Sequence, residues 1–311
     1  MVVWFYIIVA DSAQKNKSNH NISFIKPTYK FTAASKKYGQ PWPFFIIRKR
    51  TSYRFKYMSY LEALILGLIQ GLTEFLPVSS SGHLVLFTRV TGTEASLFFD
   101  LVLHLGTLLA VIIMFRRELT DVVKKPFSKR SRMLMLSTAV SAAIVFLIKD
   151  LADNAFDGMS LPFFFMITAV ALTASSFFSP KTRVKEIGAL DAVIIGAAQG
   201  FAAFPGLSRS GLTASAGNLL GVKEDENASY CFILSVPIIL GSALIEAIGG
   251  NYSPVPAGCL IIGFFTAFLS GILALKLIKK VFLKNRFDIF AAYLALLSLF
   301  LIINDLWLHL F

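Results

Sequence analysis

Four side chains that could bind an anion and act on it stand in apolar surroundings in this sequence: Glu74, Ser80, His83 and Arg209. The first three fall in "QGLTEFLPVSSSGHLV", residues 70–85, and the fourth in "QGFAAFPGLSRSGLT", residues 199–213. A serine hydroxyl is a weak nucleophile until a neighbouring base takes its proton, and Glu74 or His83 could serve Ser80 in that way. Arginine presents a planar fork of donors that matches phosphate. Gln70 precedes Glu74 by four residues, so the two project from one face of a helix. Ser79 and Ser81 flank Ser80, and Ser208, Ser210 and Thr213 surround Arg209. Glycine and serine at these points leave backbone N–H groups free at the start of the next helix, where the helix dipole favours an anion. The set fits an anion whose other end is apolar.

The elements that must hold these residues are membrane helices. The 311 residues are 56% hydrophobic and 15% charged, with mean hydropathy +0.68, where a soluble domain carries about a quarter charged residues. A spanning helix needs about 20 predominantly apolar residues. Six stretches qualify: 97–115, 133–148, 161–178, 230–248, 257–277 and 287–310, of which the second is short and extends at one end. Lys and Arg collect in 116–132, 179–189 and 276–286, whereas 149–160 is mostly acidic and 249–256 is uncharged. Cytoplasmic loops collect positive charge, which puts the first three inside and places 92–96, 149–160, 249–256 and the C-terminus outside.

Two further apolar stretches, 61–89 and 189–220, are each broken by Pro, Gly and Ser. Non-helical backbone at membrane depth needs protein or a water-filled cavity around it. Each is therefore expected to be a re-entrant hairpin, the first entering from outside and the second from inside. Laid without gaps over "QGFAAFPGLSRSG" (199–211), "QGLTEFLPVSSSG" (70–82) shares Gln, Gly, Phe, Ser, Ser and Gly. Two like hairpins opening to opposite faces are the mark of an inverted-topology repeat whose broken helices build one site near the midplane. The expected fold is all-α and polytopic: six spans plus two re-entrant hairpins, with repeat halves at about 58–178 and 187–311. The halves differ where chemistry needs them to, since Ala203 stands opposite Glu74 and Arg209 opposite Ser80.

Plainer readings compete. A Ser/Gly-rich break suits a packing hinge, because small residues let helices approach closely, and a lone intramembrane Glu suits a structural hydrogen bond. His104, four residues after Asp100, reads as a helix-orienting contact, and Glu246 as an interfacial residue. Cys231 and Cys259 lie in apolar spans without metal-ligand spacing and read as core. Residues 1–57 hold eleven Lys/Arg and one acid, Asp11. The net charge of +12 thus belongs mainly to this extension, read as disordered or non-native, and not to a nucleic-acid-binding face; residues 58–311 form one membrane domain.

"EFLPVSSSGH" (74–83) and "PGLSRSGLT" (205–213) resemble the two signature motifs of the undecaprenyl-diphosphate phosphatases, the bacitracin-resistance phosphatases, and "FFDLVLHLGTLLAV" (98–111) also resembles that family. The resemblance runs from Met58 to Phe311. It implies a plasma-membrane enzyme that removes one phosphate from a C55 prenyl diphosphate and so recycles the lipid carrier of cell-wall and surface polysaccharide synthesis. By motif position, Glu74 is the family's acid, Ser80 its hydroxyl, His83 its histidine and Arg209 its arginine, with Ser208 and Thr213 lining the phosphate site. The family has Glu or Gln at position 70. It also implies a divalent cation, Mg²⁺ or Ca²⁺, for which Glu74 is the evident protein ligand, the rest coming from diphosphate and water. Either Ser80 or His83 could attack phosphorus, with Arg209 and backbone N–H groups stabilising the equatorial oxygens. The acid-phosphatase-like lipid phosphatases place a His shortly after a comparable Arg, and "SGLTASAGNLLG" after Arg209 has none. The non-enzyme alternative is a prenyl-phosphate transporter or flippase. A homodimer is left open.

Overall fold

In the structure, a computed structural model, the described residues are 58–92, 97–154, 160–182, 185–249 and 255–310. The extension 1–57, the tips of several loops and the Glu246 side chain lie outside them. Among the described residues there are helices and no strand, only an isolated bridge between Lys185 and Val222. In chain order the helices are α1 (Tyr60–Phe75), α2 (Ser80–Thr91), α3 (Leu97–Met114), α4 (Arg116–Lys124), α5 (Lys129–Asn154), α6 (Leu161–Phe178), α7 (Ala189–Phe201), α8 (Arg209–Leu219), α9 (Glu224–Gly249), α10 (Ala257–Lys284) and α11 (Asp288–Ile303). A π-helical turn, Asn304–Leu308, prolongs α11.

Among the described residues four helical stretches are long and apolar enough to cross a membrane: Lys129–Ile148, Leu161–Phe178, Ala257–Lys284 and Asp288–Leu308. A fifth is counted if α3 and α4 are taken together, but they meet at a bend of 81°. The expected span 97–115 is thus α3, and the basic segment after it turns sharply aside as a short amphipathic helix. Near its end Val123 and, in the following loop, Phe127 are almost fully exposed. The expected span 230–248 falls inside α9, which is not among the four and contains Pro237. The chain is a multi-pass membrane protein. Large apolar side chains stand outward along the helices, Phe146, Leu147, Phe177 and Phe178 among them, an arrangement that suits lipid and not water.

Both hairpins start alike. Ser59 and Glu62 form a capping box at α1. At α7 the Gly188 N–H donates to Asp191 Oδ2 (2.9 Å) while Lys185 holds Oδ1 (2.7 Å). These caps satisfy backbone donors that a helix start leaves open. Glu62 and Asp191 stand in the same register as Gln70 and Gln199.

Lipid gives helices no hydrophobic reason to associate, so small residues that allow close packing decide which helices pair. α1 lies along α10, and α7 along α5. A Cβ on Gly67 would stand 2.8 Å from the Gly263 carbonyl oxygen, and one on Gly71 would overlap Ser270 and Ala267. In the second seam a Cβ on Gly196 would lie 2.6 Å from the Ser137 oxygen, and one on Gly200 2.8 Å from Ile144. Ser137 Oγ also donates to the Ala192 carbonyl (2.6 Å). α6 and α11 pair with each other, tied by Ser298 Oγ to the Pro162 carbonyl (2.7 Å). At the end of the bundle where α3 gives way to α4, Phe115, Phe232, Phe282 and Phe287 form a chain of ring contacts that includes the start of α11. Trp307, at the far end of α11, is exposed. Cys231 and Cys259 are free and buried, as expected of core residues.

Candidate active site

The helix α1 ends at Phe75, Leu76 is extended and 76–78 turn, the Val78 N–H donating to the Leu76 carbonyl (2.7 Å); Pro77 supplies no N–H to carry the helix on. The break closes at Ser79, whose φ of 70° is unusual for a residue with a side chain. Its Oγ accepts the Gly82 N–H (3.3 Å) and lies 3.3 Å from Ser81 Oγ, so α2 starts on a serine cap. The second break is built the same way. Gly206 takes the left-handed conformation (φ 91°), Ser208 Oγ accepts the Gly211 N–H (3.1 Å) and stands 3.2 Å from Ser210 Oγ, and α8 begins at Arg209. Thr168 of α6 braces this break by accepting from the Ser208 N–H (3.1 Å).

The two breaks meet. A Cβ on Gly82 would come within 3.2 Å of Gly206 Cα. Ser210 Oγ donates to the Leu76 carbonyl (3.0 Å), and Arg209 Nη2 donates to Glu74 Oε1. The starts of α2 and α8 therefore converge on one point, each with first-turn N–H groups that helix geometry leaves unpaired.

Glu74 is the hub. Its Oε2 accepts from Ser80 Oγ (2.6 Å) and from Gln70 Nε2 (2.9 Å), and His104 Nε2 is 3.9 Å away. Its side chain is almost wholly buried and that of Arg209 nearly so. Gln70 Oε1 is buried with no hydrogen-bond partner. The cleft over these groups, bounded also by Thr73, Ser79, Ser81, Ser208, Ser210, Leu207 and Ile239, holds only about 40 Å³. A liquid water takes about 30 Å³, so with Arg209 and Glu74 paired the cleft has room for little more than one water. A larger cavity, about 580 Å³, lies further along α9, lined by Lys129, Arg130, Lys223, Lys279, Glu118, Glu186, Asp225 and Glu226. It shares no residue with the breaks and balances its charges, and it lacks the Glu74, Ser80 and Arg209 that gather at the smaller cleft.

Two expected site residues stand elsewhere. His83 faces away from Glu74: its Nδ1 is 2.8 Å from the Ser79 carbonyl and its Nε2 2.7 Å from Tyr293 Oη on α11. A carbonyl only accepts, so Nδ1 carries the proton and Nε2 accepts from the tyrosine. Thr213 is buried within α8, its hydroxyl donating back to the Arg209 carbonyl (2.9 Å). His104 is the converse case. The contact expected within its own helix exists, from Nδ1 to the Asp100 carbonyl (2.8 Å), yet the other nitrogen reaches the site. Thr168, Ile239 and Tyr293 carry no signal in the sequence, because nothing in the spacing says which helices the breaks lean on.

The model of the family described as Bacitracin resistance protein BacA matches residues 63–300, across both breaks. The chain belongs to the BacA family. Among its relatives are proteins named undecaprenyl-diphosphatase. That of Carboxydothermus hydrogenoformans is 37% identical over 254 residues, 79% of this chain and 97% of the relative. That of Methanococcus vannielii is 37% identical over 250 residues, covering 78% and 99%, and that of Thermosipho africanus 35% over 246, covering 77% and 98%. The BacA match therefore takes in every residue of the Glu74–Arg209 cluster and α1 to α11 almost entirely.

Proposed function

We propose that the protein hydrolyses undecaprenyl diphosphate to the monophosphate and phosphate, recycling the lipid carrier of cell-wall and surface polysaccharide synthesis and conferring bacitracin resistance. One observation carries this reading: Ser80 Oγ donates to a buried carboxylate, Glu74, at 2.6 Å, beside an arginine that bridges from the other break. The names of the relatives point the same way.

In this reading the diphosphate draws Arg209 off Glu74. The freed carboxylate takes the Ser80 proton, Ser80 Oγ bonds to the terminal phosphorus, and the bond to the bridging oxygen breaks, releasing prenyl monophosphate. Water then cleaves the phosphoseryl bond, giving phosphate and restoring the serine. Arg209 and the N–H groups at the starts of α2 and α8 hold the equatorial oxygens. Both nitrogens of His83 are spent, which favours Ser80 as nucleophile. Among the described residues no group of three His, Cys, Asp or Glu could hold a metal ion. The oxygen donors present, Glu74 and the unpaired Gln70 Oε1, suit a hard cation such as Mg²⁺ or Ca²⁺ that takes its remaining ligands from diphosphate and water. Such an ion would offset charge on the diphosphate.

The two hairpins are read as re-entrant and as halves of an inverted repeat. Supporting this are the paired seams of α1 with α10 and α7 with α5, the matched serine caps and the matched acidic caps. The positive-inside pattern favours a site opening to the extracellular face of the plasma membrane.

Purified protein in detergent should release phosphate from a prenyl diphosphate, and Ser80→Ala should lower that rate by at least roughly 10³-fold, the scale for losing a nucleophile. No release by the wild type would leave the transporter reading. For the topology, single cysteines at 92–96 or 250–255 should react in intact cells with a membrane-impermeant thiol reagent, and those at 120–130 or 180–186 only after permeabilisation. The native cysteines are buried and give little background. The opposite labelling pattern would turn the site toward the cytoplasm.

A further inference from the structure

His83 lies in the first motif, yet the structure turns it away from the chemistry and into a clamp. Its ring is stacked on Tyr293 (centroids 5.8 Å apart, 17° between planes) and meets Phe165 edge-on (5.5 Å, 65°). Nδ1–H donates to the carbonyl of Ser79, which also accepts the His83 N–H (3.2 Å). Nε2 accepts from Tyr293 Oη. Tyr293 belongs to α11, which supplies nothing to the Glu74–Arg209 cluster, and it is 45% exposed on a helix long and apolar enough to cross a membrane. A hydroxyl at membrane depth must find a protein partner, and this one's partner is His83.

The residue so held is the strained one. Ser79 has φ 70°, a conformation that persists only where the surroundings fix it. Its peptide runs directly into Ser80, and it also supplies the cap of α2. We propose that His83 and Tyr293 form a strut from α11 to the Ser79 carbonyl that fixes the first break and so aims Ser80 Oγ at Glu74. Tyr293 is then a positioning residue of the site, and His83 acts through the backbone and not as nucleophile or proton carrier. The inference rests on the phosphatase reading above.

The test is prenyl-diphosphate hydrolysis by Tyr293→Phe, His83→Asn, His83→Ala and the Tyr293→Phe/His83→Ala double variant. Asparagine keeps a donor near the position of Nδ1 but can neither attack phosphorus nor carry a proton. Tyr293→Phe should lower kcat roughly 3- to 10-fold, the equivalent of one hydrogen bond, with KM little changed. His83→Asn should recover much of what His83→Ala loses, and the double variant should be no worse than His83→Ala, because the two residues act as one unit. Wild-type kcat in Tyr293→Phe would overturn the proposal, as would His83→Asn being as inactive as His83→Ala. If the wild type releases no phosphate, the phosphatase reading falls by itself. The strut is then still tested by ¹⁵N NMR of the histidines: the His83 Nε2 signal should move in Tyr293→Phe, and an unmoved signal sinks the contact.

Discussion

Arg209 and Glu74 lie 135 residues apart in the chain and meet because two breaks face each other. Each neutralises the other where burial makes an unpaired charge costly, and in the proposed reaction it is this pair that a diphosphate separates. Arg209→Ala should lower phosphate release by roughly 10²–10³-fold, the scale for losing an electrostatic stabiliser in a shielded site. Arg209→Lys should restore little, since a point charge lacks the planar fork; near-normal turnover in the lysine variant would refute the fork argument. Glu74, Ser80 and Arg209 were legible in the sequence because ionisable and hydroxyl groups are conspicuous among apolar neighbours. The contacts of His83 were not, because its two nitrogens reach Ser79 and Tyr293, and nothing in the spacing names α11 as a neighbour. His104 was half legible: the spacing gives its bond within α3, and only tertiary packing gives its approach to Glu74.

At the level of helices, the seams decide the geometry. α1 can carry Glu74 to Arg209 only if it lies against α10 at glycine distance, and Gly71 is where the two backbones come closest to excluding a side chain. Gly71→Ala should cost about 1–3 kcal/mol through forced separation of the helices, read as a lower melting temperature in detergent and a parallel loss of turnover. Gly241→Ala is the comparison, since a Cβ there meets nothing within 4 Å, and it should melt as the wild type does. An unchanged melting temperature for Gly71→Ala would show that the seam can open at little cost. Helix positions were largely readable from apolar run length: 161–178 coincides with α6, and 133–148, expected to extend at one end, grows at both ends into α5. The sharp turn between α3 and α4 was not readable, because a basic loop and a short interfacial helix have the same composition. Nor did the pattern show which helices would share a seam, since glycine spacing marks a close approach without naming its partner.

The molecule as a whole turns polar groups inward and leaves large apolar groups facing outward along its helices. Glu74, Gln70, Ser208 and Asp100 are buried, while Phe146, Phe177 and Leu147 stand outside. At the end where α3 bends into α4, Val123 and Phe127 are exposed beside Lys124 and Lys125; at the opposite end of α11, Trp307 is 81% exposed. Between the levels of these anchors runs Asp288–Leu308, 21 residues, which at 1.5 Å each is about 30 Å, the hydrocarbon thickness of an ordinary bilayer. Aromatic side chains prefer the boundary between lipid and water. If these two ends sit at the two surfaces of a bilayer, the level of the Ser80–Glu74 cleft follows from their separation. A bilayer much thinner or thicker than this length would have to deform, or tilt α11 and with it Tyr293, which makes the chain length of the surrounding lipid a variable to test in the phosphate-release assay.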